Sequence, residues 1–495
     1  MRALPLAART AIVTMAAALG SWLTGWAIAE AFDLRGDVIV LATVLAVTTA
    51  RVVARQKPHS LTERGVRLVT VPLVALGAGE TGTLLLHHRW IGGAVFCLVM
   101  ALTVWVRRFG RGWTSLGSMT ALPFVVLLVA PVAPAPGHEH TLWPALVAVV
   151  ALAWVGLLQQ LAWKTGFVPV PAKAPDAPPP RPATGMRAST KMAVQLGLGL
   201  AISYALGTWW FPEHWPWMVL SCYVVASGTA GRGDVLHRGL LRLAGAAAGT
   251  IGATLLATAF TTGNKWALVV MFAVMALAVW LRPRNYAYWA AGVTAMLALL
   301  HGYYGEHGAD LLLERLAGVV LGATIGVAVA WFVLPVRSRD AFRRRFADAL
   351  AALSAYLAAV RTMPEDQAAT AAAFERYRHA TAQFGLLEPA YRAHRRTLAR
   401  RSPNHPLDLL ADLSRIGLAL AGAHALPADV RAAHRDTLGG WARQVGAVRR
   451  RMKGAEPLAD PPAPTGIMQI DAVSEALSVL DTDFARALWF ELGGS

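Results

Sequence analysis

Cysteine and charge are both scarce in this sequence. The two cysteines, Cys97 and Cys222, lie inside apolar runs and offer neither a disulfide framework nor a thiolate metal cluster. Charged residues make up 15% of 495 and hydrophobic ones 56%, a balance too apolar for a soluble protein of this length. No Gly-Lys-Ser/Thr phosphate loop is present, so direct ATP drive from this chain is not expected. No Ser/His/Asp or Cys/His spacing points to an enzyme. His138-Glu139-His140 lies in a proline-rich loop, where two histidines at i, i+2 are expected to face solvent rather than a metal. No cofactor or metal is therefore expected. Acidic residues are the scarcer sign, 29 against 46 Lys and Arg for a net charge of +17, and the placement of that excess decides what it means.

What the sequence does have is a repeat. Val274-Met-Ala-Leu-Ala-Val-Trp-Leu-Arg282 reproduces Val99-Met-Ala-Leu-Thr-Val-Trp-Val-Arg107, with two mismatches in nine positions at an offset of 175. Arg64-Gly65 returns as Arg238-Gly239, and Gly20-Ser-Trp22 as Gly207-Thr-Trp209. Similarity at so long a period in an apolar chain predicts a duplicated membrane bundle.

Twelve apolar segments of spanning length are expected: 10–32, 37–54, 66–86, 91–106, 113–131 and 142–163, then 190–211, 215–231, 236–260, 265–281, 286–304 and 311–335. The first has the outline of a signal peptide, but its counterpart recurs mid-chain, so it reads as a transmembrane helix. Basic residues collect in alternate loops, among them Arg51–Arg64, Arg107–Arg111 and Arg337–Arg345, and nearly avoid the loops between. This is the positive-inside pattern. It places both termini in the cytoplasm and makes the basic excess a topology signal with a share for anionic lipid, not a nucleic-acid footprint.

The expected organisation is a first six-helix half (1–165), a proline-rich cytoplasmic linker (166–186), a second six-helix half (187–336) and a cytoplasmic helical domain (337–495). In the last, Phe342, Phe346, Ala349, Leu353, Tyr356 and Val360 follow a 4-3-4-3-4 rhythm, and Ile470, Val473, Leu477, Leu480, Phe484 and Leu488 nearly the same. Such stripes predict amphipathic helices closing on one another. The fold class is all-α: a polytopic membrane protein plus a C-terminal bundle.

Glycines recur every four residues at Gly245, Gly249 and, three on, Gly252, and again at Gly318, Gly322 and Gly326. One glycine face lets a neighbouring helix approach closely. The Arg238-x-x-x-Arg242-x-x-Gly245-x-x-x-Gly249-Thr250 string, Asn285-Tyr286 after the fourth span, and Arg315-x-x-Gly318-x-x-x-Gly322 leading to Pro335 resemble the fusaric acid resistance family. The resemblance is best over 190–336. It implies export of small organic acids, aromatic carboxylic acids foremost, from the inner or plasma membrane. A distant likeness to plant malate channels implies instead an anion channel, with the two halves standing for two subunits. A non-transporting scaffold, whose cytoplasmic domain binds a partner protein or a second copy, is the alternative from another class.

Charge inside a bilayer is costly, so ionisable residues there are candidates for function. Glu80 lies ~20 Å along its helix from Arg67 and is the candidate for proton or substrate work. Arg242, two turns inside its span, and Arg315, at the start of the last one with Glu314 or Asp310 as prospective partner, are candidates for an anion path. Trp280, Asn285 and Tyr286 complete the set, the rings being available for stacking on an aromatic anion.

Overall fold

The computed structural model describes residues 4–32, 43–50, 61–128, 142–170, 186–227, 231–257, 264–303, 309–336, 338–362, 366–397, 405–452 and 461–492. Among these residues the regular structure is helical, with no strand. They form two compact units that divide after Val336; most of the proline-rich linker lies outside the described residues.

The first unit begins with α1 (Leu6–Ala31), α2 (43–50) and α3 (Leu61–His87). Then come α4 (Arg89–Trp105), prolonged by a 3-10 turn at Val106–Phe109, α5 (Arg111–Leu127) and α6 (Trp143–Lys164). The second set is α7 (Ala188–Trp210), α8 (Trp215–Ala226), α9 (Arg232–Ala257), α10 (Lys265–Leu281), α11 (Tyr286–Tyr303) and α12 (Ala309–Phe332). Seven of these helices are long and apolar enough to cross a membrane, and Gly112–Leu127, Trp215–Ala226 and Trp266–Leu281 are shorter apolar ones. The chain is a multi-pass membrane protein.

Local chemistry sets several helix ends. Gly110 takes a φ of +119° between the 3-10 turn and α5, a conformation that suits glycine. Asn264 caps α10 by accepting from the Trp266 amide at 2.9 Å. At the far end of α12, buried Gln195 from α7 donates to the Val333 and Leu334 carbonyls at 2.7 and 3.2 Å. An amide thus satisfies carbonyls that the end of a helix leaves without partners.

Some helix pairings among α1–α6 have counterparts among α7–α12, whereas α3 on α4 has none among the described residues. Helix α1 packs on α6 and α7 on α12; α3 packs on α5 and α6, as α9 does on α11 and α12. Across the two sets, α4 meets α7 and α1 meets α10. The recurring tryptophans occupy like positions: Arg108 lies 5.0 Å from the Trp105 ring and Arg284 5.1 Å from Trp280. The two crossings are filled differently. Phe96 and Met100 of α4 and Leu196 and Leu200 of α7 are fully buried in one dense core. At α1 the contact with α10 rests on Trp22 edge-on to Phe272 at 6.1 Å and on Ala18, with Val47 of α2, against Met275, while Gly20 turns to Trp154 of α6.

The second unit holds α13 (Ser338–Thr362), α14 (Gln367–Gly385), α15 (Glu388–Thr397), α16 (Pro406–His424), α17 (Ala428–Ala433), α18 (Arg435–Arg451) and α19 (Met468–Leu492). The stripe Phe342, Phe346, Ala349, Leu353, Tyr356 and Val360 is buried, as are Ile470, Val473, Leu477, Leu480 and Phe484. The two stripes meet where Phe346 stacks on Phe484 at 5.5 Å. Two large buried rings find polar partners: Trp441 donates to Ser474 at 2.8 Å and Tyr377 to the Leu413 carbonyl at 2.9 Å.

One buried acid makes this unit pH-sensitive. Asp412 on α16, 2% exposed, pairs with Arg415 at 2.9 Å, yet burial and the neighbouring Asp483 raise its carboxyl from 3.8 to about 6. The folded state therefore holds this proton to a higher pH than the unfolded state, and its contribution to stability falls as pH rises from about 4 to 6. His405 works oppositely: burial, with His394 and Arg395 nearby, lowers it from 6.5 to about 4, so stability is lost as pH falls through that window. A 337–495 fragment carrying Asp412→Asn is expected to be more stable than wild type at pH 7.5 by about 1–2 kcal/mol, with the gain vanishing near pH 4. Denaturant titrations of the two fragments, followed by circular dichroism, measure both values.

Candidate functional site

Between α1, α2 and α5 on one side and α8 to α11 on the other lies a cleft of about 1980 Å³. Its walls are mainly apolar, and its charged groups gather at one end, where Arg238, Arg242 and Arg282 line it together with Tyr286 and Trp280. Trp26, Leu268 and Leu300 line it toward the opposite end.

Arg242 is the centre of that polar end. It sits on α9, 5% exposed, and its Nη1 donates to Thr294 Oγ1 of α11 at 3.3 Å. Its Nε has no hydrogen-bond partner among the described residues, nor does an ion pair reach it there. One turn away, Arg238 donates to the Ser227 carbonyl at 2.5 Å and faces the Tyr286 ring at 5.9 Å. Arg282 lies 5.4 Å from the Trp289 ring. A buried guanidinium held by one hydroxyl keeps most of its donors available, and a carboxylate would satisfy them with charge as well as geometry.

The glycine face explains why Arg242 can be so deep. Gly245 and Gly249 on α9 meet the Ala287 and Ala291 carbonyls of α11, and a Cβ at either position would collide with them. On α12, Gly322 presses equally closely on Met218 of α8. The other glycines of the pattern behave differently: a Cβ at Gly318 or Gly326 would make ordinary contacts, and one at Gly252 would meet open space.

The sequence candidates separate into three places. Arg242, Trp280 and Tyr286 line the cleft, and Asn285 caps α11 beside it by accepting from the Ala287 amide at 2.9 Å. Arg315 does not line the cleft but lies within electrostatic reach of Arg242; it is buried, 4% exposed, with its guanidinium 5.4 Å from the Trp217 ring. It does not pair with Glu314; that carboxylate meets His214 at 2.9 Å. Successive helix residues point about 100° apart, so one of the two faces the bundle and the other its rim. His214 in turn stacks on Trp217 at 4.3 Å, and His301 meets the same ring edge-on at 5.7 Å. The Asp310 side chain lies outside the described residues. Glu80 is exposed on the surface of α3 and does not line the cleft. Thr294, His214 and His301 escaped the sequence reading as site residues, because none is charged at neutral pH or repeats at a fixed spacing, and Trp217 reads from sequence only as one of the tryptophans of an interfacial belt.

Comparison with known proteins bears on the same helices. Residues 198–329, from within α7 to within α12, match the family model described as fusaric acid resistance protein-like. A relative is the p-hydroxybenzoic acid efflux pump subunit AaeB of Musicola paradisiaca (strain Ech703), 28% identical over 163 residues. The match covers 30% of this chain and 25% of that protein, so this chain spans about a quarter of its relative. The fusaric acid resistance-like segment supplies α8 to α11 of the cleft, with Arg238, Arg242, Trp280 and Tyr286, whereas α1, α2 and α5 lie outside it.

Proposed function

We propose that this chain is an efflux transporter of the plasma membrane that exports small organic acids, aromatic carboxylic acids foremost, through the cleft between two six-helix halves. The observation that carries the reading is Arg242: a buried guanidinium with one hydroxyl partner, at the polar end of an otherwise apolar cleft. A carboxylate placed there offsets a charge that is costly to leave alone, while the Trp280 and Tyr286 rings flank an aromatic body. The family of the 198–329 segment and the efflux relative support the direction of transport. Recurring helix pairings support duplication, and with it a path at the seam of the halves.

The charge alternation puts the arginine end at the cytoplasmic face, with both termini inside, and makes the 337–495 unit a cytoplasmic domain open to a second copy or a partner protein. Single cysteines at His87, Gly137 and Gly305 are expected to react with an impermeant maleimide in intact cells, and those at Gly110 and Pro178 to stay unlabelled, in a background without Cys97 and Cys222. Labelling at 178 refutes the topology.

The function itself is tested by following p-hydroxybenzoate in cells with and without the gene. Loss of export with a proton uncoupler marks a coupled carrier; persistence down the anion gradient marks a channel. Equal retention in both strains overturns the transport reading. If export is proton-coupled, the His214–Glu314 pair is the better-placed site for the proton than exposed Glu80.

A further inference from the structure

The cleft is much larger than an aromatic acid requires. Pockets for drug-sized ligands enclose ~300–1000 Å³, against about 1980 Å³ here. It is also long: along α10 its lining runs from Leu268 to Arg282, about 20 Å at the helical rise and so much of a hydrocarbon core of ~30 Å. Only the end with Arg238 and Arg242 carries cationic groups matched to a carboxylate.

The cleft is also open sideways. Leu19 and Leu23 of α1 and Leu277 of α10 line it and are 46%, 49% and 50% exposed, an accessible apolar wall beside the α1–α10 crossing. In a membrane that surface faces acyl chains. The corresponding seam, α4 against α7, is filled by Phe96, Met100, Leu196 and Leu200, each no more than 1% exposed, with Leu102, the counterpart of Leu277, accessible at its edge; at α1–α10 the buried contact is Ala18 against Met275. The difference lies in the sequence: large side chains face each other across one seam, and small ones, Ala16 and Ala18, stand on the α1 side of the other.

We propose that the cleft takes amphipathic anions, a carboxylate head on an extended apolar body, admitted from the bilayer between α1 and α10. The head meets Arg242 and Arg238, and the body lies along Leu19, Trp22, Phe272 and Met275. Entry by this side lets the substrate keep its apolar part out of water throughout, which a purely aqueous path would not allow. A small aromatic acid uses only the arginine end. The inference rests on the reading of the cleft as an anion path and extends its substrate class to fatty-acid-like and other long-bodied carboxylates.

The test uses the full chain in nanodiscs of zwitterionic lipid. The probe is a long-chain carboxylate bearing a terminal diazirine, compared with an alkyl-trimethylammonium of equal length carrying the same group. After illumination, peptide mapping is expected to find the carboxylate on α1 and α10 at least fivefold above the ammonium. Arg242→Gln is expected to lower that labelling at least fivefold, while Arg242→Lys holds it within twofold, which separates charge from misfolding. Label on the exposed face of α7 around Leu198 reports bulk lipid and is expected to be the same in every variant. Equal labelling by both probes, or labelling indifferent to Arg242→Gln, means the cleft merely holds lipid and overturns the proposal. Export of p-hydroxybenzoate without long-chain labelling defeats this inference and leaves the transport reading standing. Labelling without export of any acid does the reverse.

Discussion

Arg242→Gln is expected to lower export of a carboxylate by about one to two orders of magnitude, the worth of ~1.5–3 kcal/mol for a hydrogen bond to a charged group, with membrane expression unchanged. Glutamine can still reach toward Thr294, whose hydroxyl now stands 3.3 Å from Nη1, so what is lost is the charge rather than the packing. Arg242→Lys keeps the charge as a point donor and should retain much of the transport. Arg242→Glu should be the worst of the three, because a carboxylate substrate then meets a like charge where water screens poorly. Arg315 is expected to respond less steeply: it faces the Trp217 ring rather than the cleft. A ranking in which Lys and Gln are tolerated alike makes Arg242 a packing element and removes the anion path.

The second large effect is on folding. Gly322→Ala is expected to abolish most of the folded protein, because its Cβ would overlap the Met218 carbonyl and force α12 away from α8. Gly249→Ala should do nearly the same through Ala291 of α11, and there it would also shift the helix that carries Arg242. Overpacking a tight site typically costs ~1–3 kcal/mol, and backbone offers less room to yield than a side chain. Gly252→Ala, with nothing within 4 Å, should match wild type in yield and melting temperature. Size-exclusion recovery of the detergent-solubilised variants gives the comparison; equal recovery of Gly322→Ala and Gly252→Ala contradicts the packing account.

Those glycines mark where sequence reading stops. A spacing of four places Gly245 and Gly249 on one helix face, and a further three adds Gly252; which of them touches α11 depends on where the two helices diverge, and spacing carries no such information. The helices themselves were legible, since apolar runs and 3-4 stripes report burial directly: the stripes from Phe342 to Val360 and from Ile470 to Phe484 are buried as their rhythm implies. The repeat at Trp105 and Trp280 singled out α4 and α10, which take part in the two crossings between the sets. The cleft was not legible. Its walls join Leu19 to Phe272 and Arg242 to Thr294, and nothing local to either member announces the other. Arg315 and Glu314 show the same limit at short range: neighbours in sequence, they turn to different partners, Trp217 and His214.

The central claim is that substrate passes through the cleft between α1 and α10, and one measurement addresses it directly. Ala276 lines the cleft on α10 and is partly buried. Ala276→Cys, in a chain lacking Cys97 and Cys222, is reconstituted in proteoliposomes and treated with a bulky maleimide while p-hydroxybenzoate flux is followed. The account predicts that modification stops the flux and that substrate slows the modification. Flux that continues unchanged through fully modified protein would contradict it.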